Sequence, residues 1–161
     1  MKVSLKWLRT MVDVPVEAKD LANKLDLTGT AVESIDSTGQ RLDGVVVGHI
    51  VKRDKHPNAD TLWVTSVDVG QHNVDENGDA ALVQIVCGAQ NFDAGDKVPV
   101  ALVGAVLPNG LEIKKAKLRG IESRGMNCSG RELGLSDDAA GLLILPADAP
   151  VGTAFADYLQ M

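Results

Sequence analysis

Residues 56–70 read HPNADTLWVTSVDVG, a polar turn that runs straight into an alternating strand, and the rest of the chain can be placed from there. Pro57 fixes φ, and the short side chains of Asn58 and Asp60 can bond back to the backbone, so 56–60 is a tight turn. From there Leu62, Val64, Val67 and Val69 recur at close to period two, with one slip near Thr65 and Ser66. A β-bulge at the slip is the expected cause. Upstream, GVVVGHIVKR at 44–53 reads as a strand in which Gly44 and Gly48 mark a bend. Downstream, 81–87 gives a third strand across a long polar loop, and 98–103 a fourth, with Pro99 best placed at its start or on an edge.

Segments 111–118, 126–129 and 142–145 supply further short strands, with Ile113, Ala116 and Leu118 expected inward. Short curved strands with glycine at the bends fit a small closed barrel better than a parallel sheet, and an OB-fold with added strands is the expected architecture. Before it, Ser4 caps a helix to about Val12, a second helix spans 17–27 with Gly29 as its stop, and 31–36 is a candidate strand followed by a linker at 37–40. After it, 153–159 reads as a helix presenting Phe155, Ala156 and Leu159, expected to return to the first forty residues. The fold class is therefore mainly β with a small α+β appendage: 1–42 the first part of the small domain, 43–152 the barrel, and 153–161 the return.

A chain of 161 residues has room for one such domain and an appendage. No apolar run approaches the roughly 20 residues that a spanning helix needs, and the start lacks a secretory leader, so the expected location is cytoplasmic, without membrane attachment. Cys87 and Cys128 stand far apart and read as buried thiols. The net charge of −6 argues against a general affinity for nucleic acid, but its distribution tells more than its total. Between Gly110 and Arg131 the basic residues Lys114, Lys115, Lys117, Arg119, Arg124 and Arg131 face only Glu112 and Glu122, a local balance of +4. Residues 132–161 carry five acidic groups and no basic one.

No catalytic or metal constellation stands out. The Asp75–Asp79 stretch has Val86 where a calcium loop needs its bidentate glutamate, so a hydrated turn is expected. His49, His56 and His72 lack metal-ligand spacing, and Ser123 in GIESRG does not sit in a nucleophile elbow.

The segments MKVSLKWLR, LTGTAVESI (27–35), HPNADTL, QIVCGAQN (84–91) and KLRGIESRGMNCSGRELGL (117–135) resemble the N-terminal part of the β subunit of bacterial phenylalanyl-tRNA synthetases, over essentially the whole chain. The central portion is similar to the tRNA-binding OB module that those subunits share with methionyl-tRNA synthetase C-terminal domains and free-standing tRNA-binding proteins. The resemblance implies an excised fragment of an α2β2 tetramer that uses ATP and Mg²⁺ to attach phenylalanine to its tRNA, with the α subunit and the remainder of the β subunit as protein partners. It assigns neither catalysis nor a cofactor to these residues. It carries over RNA-facing candidates: His56, Asn58 and Asp60 in the turn, the loop from Gly88 to Asn91, and Lys117, Arg119, Ser123 and Arg124, beside which the clustering adds Lys114 and Lys115. Three positions depart from the common family pattern: Thr61 where a basic residue often follows HPNAD, Gln90 where the loop is usually GAPN, and Arg124 where SEGM is commoner.

Each signal has a plainer counterpart. Asn58 and Asp60 are expected to close the turn more often than to touch RNA, the lysines could be a solvated strand face, and Trp63 suits packing better than base stacking. Two functions from different classes follow: an accessory tRNA-binding region, or an assembly module of the synthetase that contacts no RNA.

Overall fold

The computed structural model describes residues 3–35, 42–75, 77–137 and 140–160, and the chain divides into two compact units, 1–37 and 38–161.

In the first unit, helix α1 (Leu5–Arg9) begins where Ser4 Oγ accepts the Trp7 amide at 3.3 Å, the cap expected from the sequence. The Arg9 guanidinium donates to the Val14 and Val16 carbonyls at 3.2 and 2.9 Å, fixing the turn into helix α2 (Ala18–Leu27). Gly29 then takes φ +88°, the left-handed stop. Residues 31–35 form no strand, and residue 36 lies outside the described residues. A strand needs a hydrogen-bonding neighbour, and Val32 instead donates its amide to the Asp26 carboxylate at 2.7 Å. The expected linker at 37–40 also lies outside the described residues.

The second unit is built on β1 (Val45–Lys55), β2 (Trp63–Asp68), β3 (Val83–Cys87), β4 (Lys97–Leu102), β5 (Ala116–Leu118), β6 (Ile121–Ser123) and β7 (Gly125–Asn127), ending in helix α3 (Phe155–Gln160). Five strands form an antiparallel sheet in the order β3-β2-β1-β4-β7. Its two ends approach each other: the Arg124 amide donates to the Gln84 carbonyl at 2.9 Å, and the Val86 amide donates to Ser123 Oγ at 3.1 Å. The sheet thus curls into the nearly closed five-stranded barrel of an OB-fold.

β1 closes it by serving two partners, pairing through 45–49 with β4 and through 49–55 with β2. The bulge lies in β1, not in β2 as the sequence suggested: the register with β2 shifts between Ile50 and Lys52, leaving Val51 extra. β2 alternates without a slip, because Thr65 points inward with Val67, fully buried, and its hydroxyl donates to the Ile85 carbonyl at 2.8 Å. A satisfied hydroxyl can occupy a core position that a hydrophobic pattern reads as outward.

Two apolar layers share the β1 wall. Val46, Ile50, Val67, Ile85, Val98 and Val100 fill the barrel, while Val45, Val47, Ala101, Leu107, Ile113 and Phe155 pack on its outside. Each fully buried side chain of this size contributes about 1.5–3 kcal/mol. Gly48 faces inward, and a Cβ there would run into the Val100 and Val67 methyls. Pro99 sits inside β4 rather than at its start; its carbonyl accepts the Cys128 amide, so its missing donor faces the β7 side just where the β7 ladder, starting at Val100, has ended. Residues 142–145 form no strand; Leu145 makes an isolated bridge to Lys97, and Leu142 packs into the barrel core. Helix α3 falls within the second unit, its Phe155 fully buried in the outer layer.

Candidate nucleic-acid interface

Three connections meet at one end of the barrel: the turn 56–62 between β1 and β2, the loop 88–91 after β3, and a two-stranded ribbon of β5 and β6. The ribbon turns over two residues, Arg119 and Gly120, between the paired Leu118 and Ile121. Both have positive φ, +47° and +90°, the geometry of a tight hairpin that follows the natural twist of its strands. Arg119 is the sole non-glycine residue with positive φ among those described.

The 56–62 turn holds that hairpin tip. His56 is 3% exposed. Its Nδ1 accepts the Asn58 amide at 3.0 Å, so the ring proton sits on Nε2, which donates to the Leu118 carbonyl at 3.0 Å. Asn58 Nδ2 donates to the Arg119 carbonyl at 3.2 Å. Gln90 ties in the third connection, donating to the Thr61 and Gly88 carbonyls at 3.1 Å each and accepting the Trp63 indole N–H at 3.0 Å. The Trp63 ring is covered by the Arg53 guanidinium, 3.8 Å from its centroid, which makes it a packing surface as expected.

The sequence-derived candidates separate sharply. β5 is exposed at all three positions, so Ala116 and Leu118 do not face inward as expected, while Ile113 does. Lys117 and Arg119 stand on this exposed ribbon and carry no ion pair among the described residues. Lys114 pairs with Glu112 at 3.1 Å, Lys115 with one Glu122 oxygen at 3.2 Å, and Arg124 with the other at 2.8 Å. The Arg124 and Lys115 hydrogen bonds hold the Glu122 carboxyl below the usual carboxylate range. Ser123 is 4% exposed, its hydroxyl accepting from the Val86 amide and donating to the Gly125 carbonyl at 3.1 Å. Asn91 is exposed, but its amide is engaged at both ends, donating to the Leu142 carbonyl at 3.0 Å and accepting the Leu142 amide at 2.8 Å. It acts as a clip on the 141–142 segment, where a side chain at Gly141 would collide with it. Arg131, last of the basic run, lies beyond β7 and outside the ribbon.

Elsewhere the polar groups are structural. Asp75 accepts the Asn77 and Asp79 amides at 2.8 and 2.9 Å, closing a turn, and no group of three or more metal-binding side chains occurs among the described residues. Burial pushes the Cys87 thiol up and that of Cys128 to about 12, so both are inert as nucleophiles. No helix among the described residues is long and apolar enough to cross a membrane.

Comparison with known proteins now bears on this rim. Residues 45–154, which hold the barrel, the turn and the ribbon, match the family described as "Putative tRNA binding domain". The chain belongs to that tRNA-binding domain family. Over its full length it is 47% identical to the phenylalanine–tRNA ligase beta subunit of Fusobacterium nucleatum, 49% to that of Anaeromyxobacter dehalogenans and 50% to that of Aromatoleum aromaticum. It spans 19% of the length of each. Among solved structures, the C-terminal domain of Plasmodium vivax p43 aligns with a TM-score of 0.49 at 26% identity, over 73% of this chain and 61% of that one. Within a tRNA-binding domain, the turn after the first strand and the connection before the last are the loops with which OB-folds hold oligonucleotides. Here they are hydrogen-bonded to each other.

Proposed function

We propose that this chain is an accessory tRNA-binding region of a phenylalanine–tRNA ligase and grips the RNA backbone with the β5–β6 ribbon. The observation that carries the proposal is the exposed pair Lys117 and Arg119, set on a hairpin whose tip is held by His56 and Asn58. With Trp63 covered by Arg53, contact is through phosphate charge and shape rather than base stacking, which makes the region a low-affinity contributor within a larger enzyme. Its partners are then a phenylalanine-accepting tRNA and, in an α2β2 tetramer, the catalytic α subunit and the rest of the β subunit, in the cytoplasm. ATP and Mg²⁺ serve that enzyme's reaction, and nothing in this chain is assigned to them. An assembly module without RNA contact is disfavoured by the family match over 45–154. The test is tRNA binding to the 161-residue chain across a salt series. Replacing both Lys117 and Arg119 by alanine should weaken binding about tenfold or more at low salt and make the log–log salt slope shallower by about 1–2. Unchanged affinity in the double variant overturns the proposal.

A further inference from the structure

We propose that Glu122 is an intrachain stand-in for an RNA phosphate: its carboxylate occupies the place between Lys115 and Arg124 that a phosphate group would take, and so lowers the affinity of the ribbon for tRNA. The inference rests on the reading that the ribbon binds RNA.

Three observations carry it. The two carboxylate oxygens divide the cations between them, Oε1 on Arg124 Nε at 2.8 Å and Oε2 on Lys115 Nζ at 3.2 Å, an arrangement equally suited to two phosphate oxygens. Glu122 is also the register partner of Lys117 across β5 and β6, so the one carboxylate lies amid the cations of the ribbon. The Glu122 side chain is 35% exposed, Lys115 45% and Arg124 24%, so the arrangement opens to solvent and to an incoming polyanion chiefly on its Lys115 side. A buried ion pair would resist exchange, whereas one this wet is held weakly and a phosphate can compete for it. RNA arriving at Lys117 and Arg119 therefore meets a negative charge beside them and must displace it to reach Lys115 and Arg124. The arrangement keeps the ribbon cationic enough to attract tRNA and prevents all its cations from engaging at once, which favours rapid release.

The experiment compares tRNA binding by the wild-type 161-residue chain, E122Q and E122S (two neutral replacements of different length), D157N on α3 as a charge-matched control, and the Lys117–Arg119 double alanine variant. Melting curves verify that each is folded. E122Q and E122S should bind about three- to tenfold tighter at low salt, with a salt slope steeper by about one, because one further phosphate is neutralised. The gain should fade as salt screens it, and D157N should move affinity less than about twofold. Equal or weaker binding by the Glu122 variants, or an equal gain in D157N, overturns the proposal. If the double alanine variant binds like wild type, the ribbon reading itself fails; if that variant weakens and the Glu122 variants do not tighten, only the phosphate stand-in falls.

Discussion

The turn at 56–62 and the ribbon of β5 and β6 touch through two side-chain hydrogen bonds, yet they use their polar atoms in opposite ways. In the turn, His56 is buried with both ring nitrogens engaged and Asn58 reaches across to a carbonyl. In the ribbon the backbone is held and the charged side chains of Lys117 and Arg119 stay in water. Of the segments that carry the family resemblance, the HPNAD turn thus spends its polar atoms on support, and the KLRG segment keeps the charges of Lys117 and Arg119 in water. A short two-stranded hairpin is marginal alone, so the division has a physical basis: the cations need a fixed support, and the turn supplies it.

The difference can be broken at its foundation. Gly48→Val puts a branched side chain against Val67 and Val100, overpacks the barrel that carries both regions, and should cost about 3 kcal/mol or more, read as a lowered denaturation midpoint with turn and ribbon lost together. A variant as stable as wild type would mean that the barrel wall yields at Gly48. Next, His56→Ala should cost about 2 kcal/mol by removing the partner of the Leu118 carbonyl and of the Asn58 amide. Hydrogen exchange should then speed up over 116–121 while β1 and β4 keep their protection; uniform acceleration would show that the turn supports the whole barrel. The smallest effect belongs to a corner apart from either region. Asp68 accepts the Gly70 amide at 2.9 Å and the Asn73 side-chain amide, and these bonds hold its pKa below the ordinary value. A depressed carboxyl contributes stability that is present above the unfolded value of about 4 and is lost as pH falls through the lower folded value. Asp68→Asn should therefore be less stable than wild type near neutrality, by no more than about 1 kcal/mol, and the gap should close in acid. A gap independent of pH would assign the effect to shape rather than to charge.

Much of this was legible in the sequence, and the exceptions share a cause. Alternation and turn chemistry placed the strands and the barrel, and the polar turn was weighted toward structure, which is where His56 and Asn58 act. Thr65 was misread because its hydroxyl finds a carbonyl inside the barrel, which composition alone cannot signal. The bulge at Val51 was hidden because β1 is apolar on both faces at its start and shows no alternation to interrupt. The basic run was visible as a count, but its pairing was not: Glu112 and Glu122 were two among eight charges in sequence, and in space they sit on Lys114, Lys115 and Arg124. Ser123 and Asn91 are likewise ordinary polar residues until their backbone partners, 37 and 51 positions away, are known.

Gln90 shows how a loop can be made rigid by different thermodynamic means. A proline at this place stiffens the chain before it folds, by removing conformations from the unfolded ensemble, and that contribution persists while the protein is heated or titrated with denaturant. Gln90 instead restrains the loop with three bonds, to Thr61, Gly88 and Trp63, that exist only in the folded state. Its restraint is enthalpic: it fastens the 88–91 loop to the 56–62 turn through Thr61, to β2 through Trp63 and to itself through Gly88, and all three bonds are surrendered when that loop opens. Opening of the 88–91 loop consequently releases its tie to the 56–62 turn at Thr61 and its tie to the barrel wall at Trp63 together.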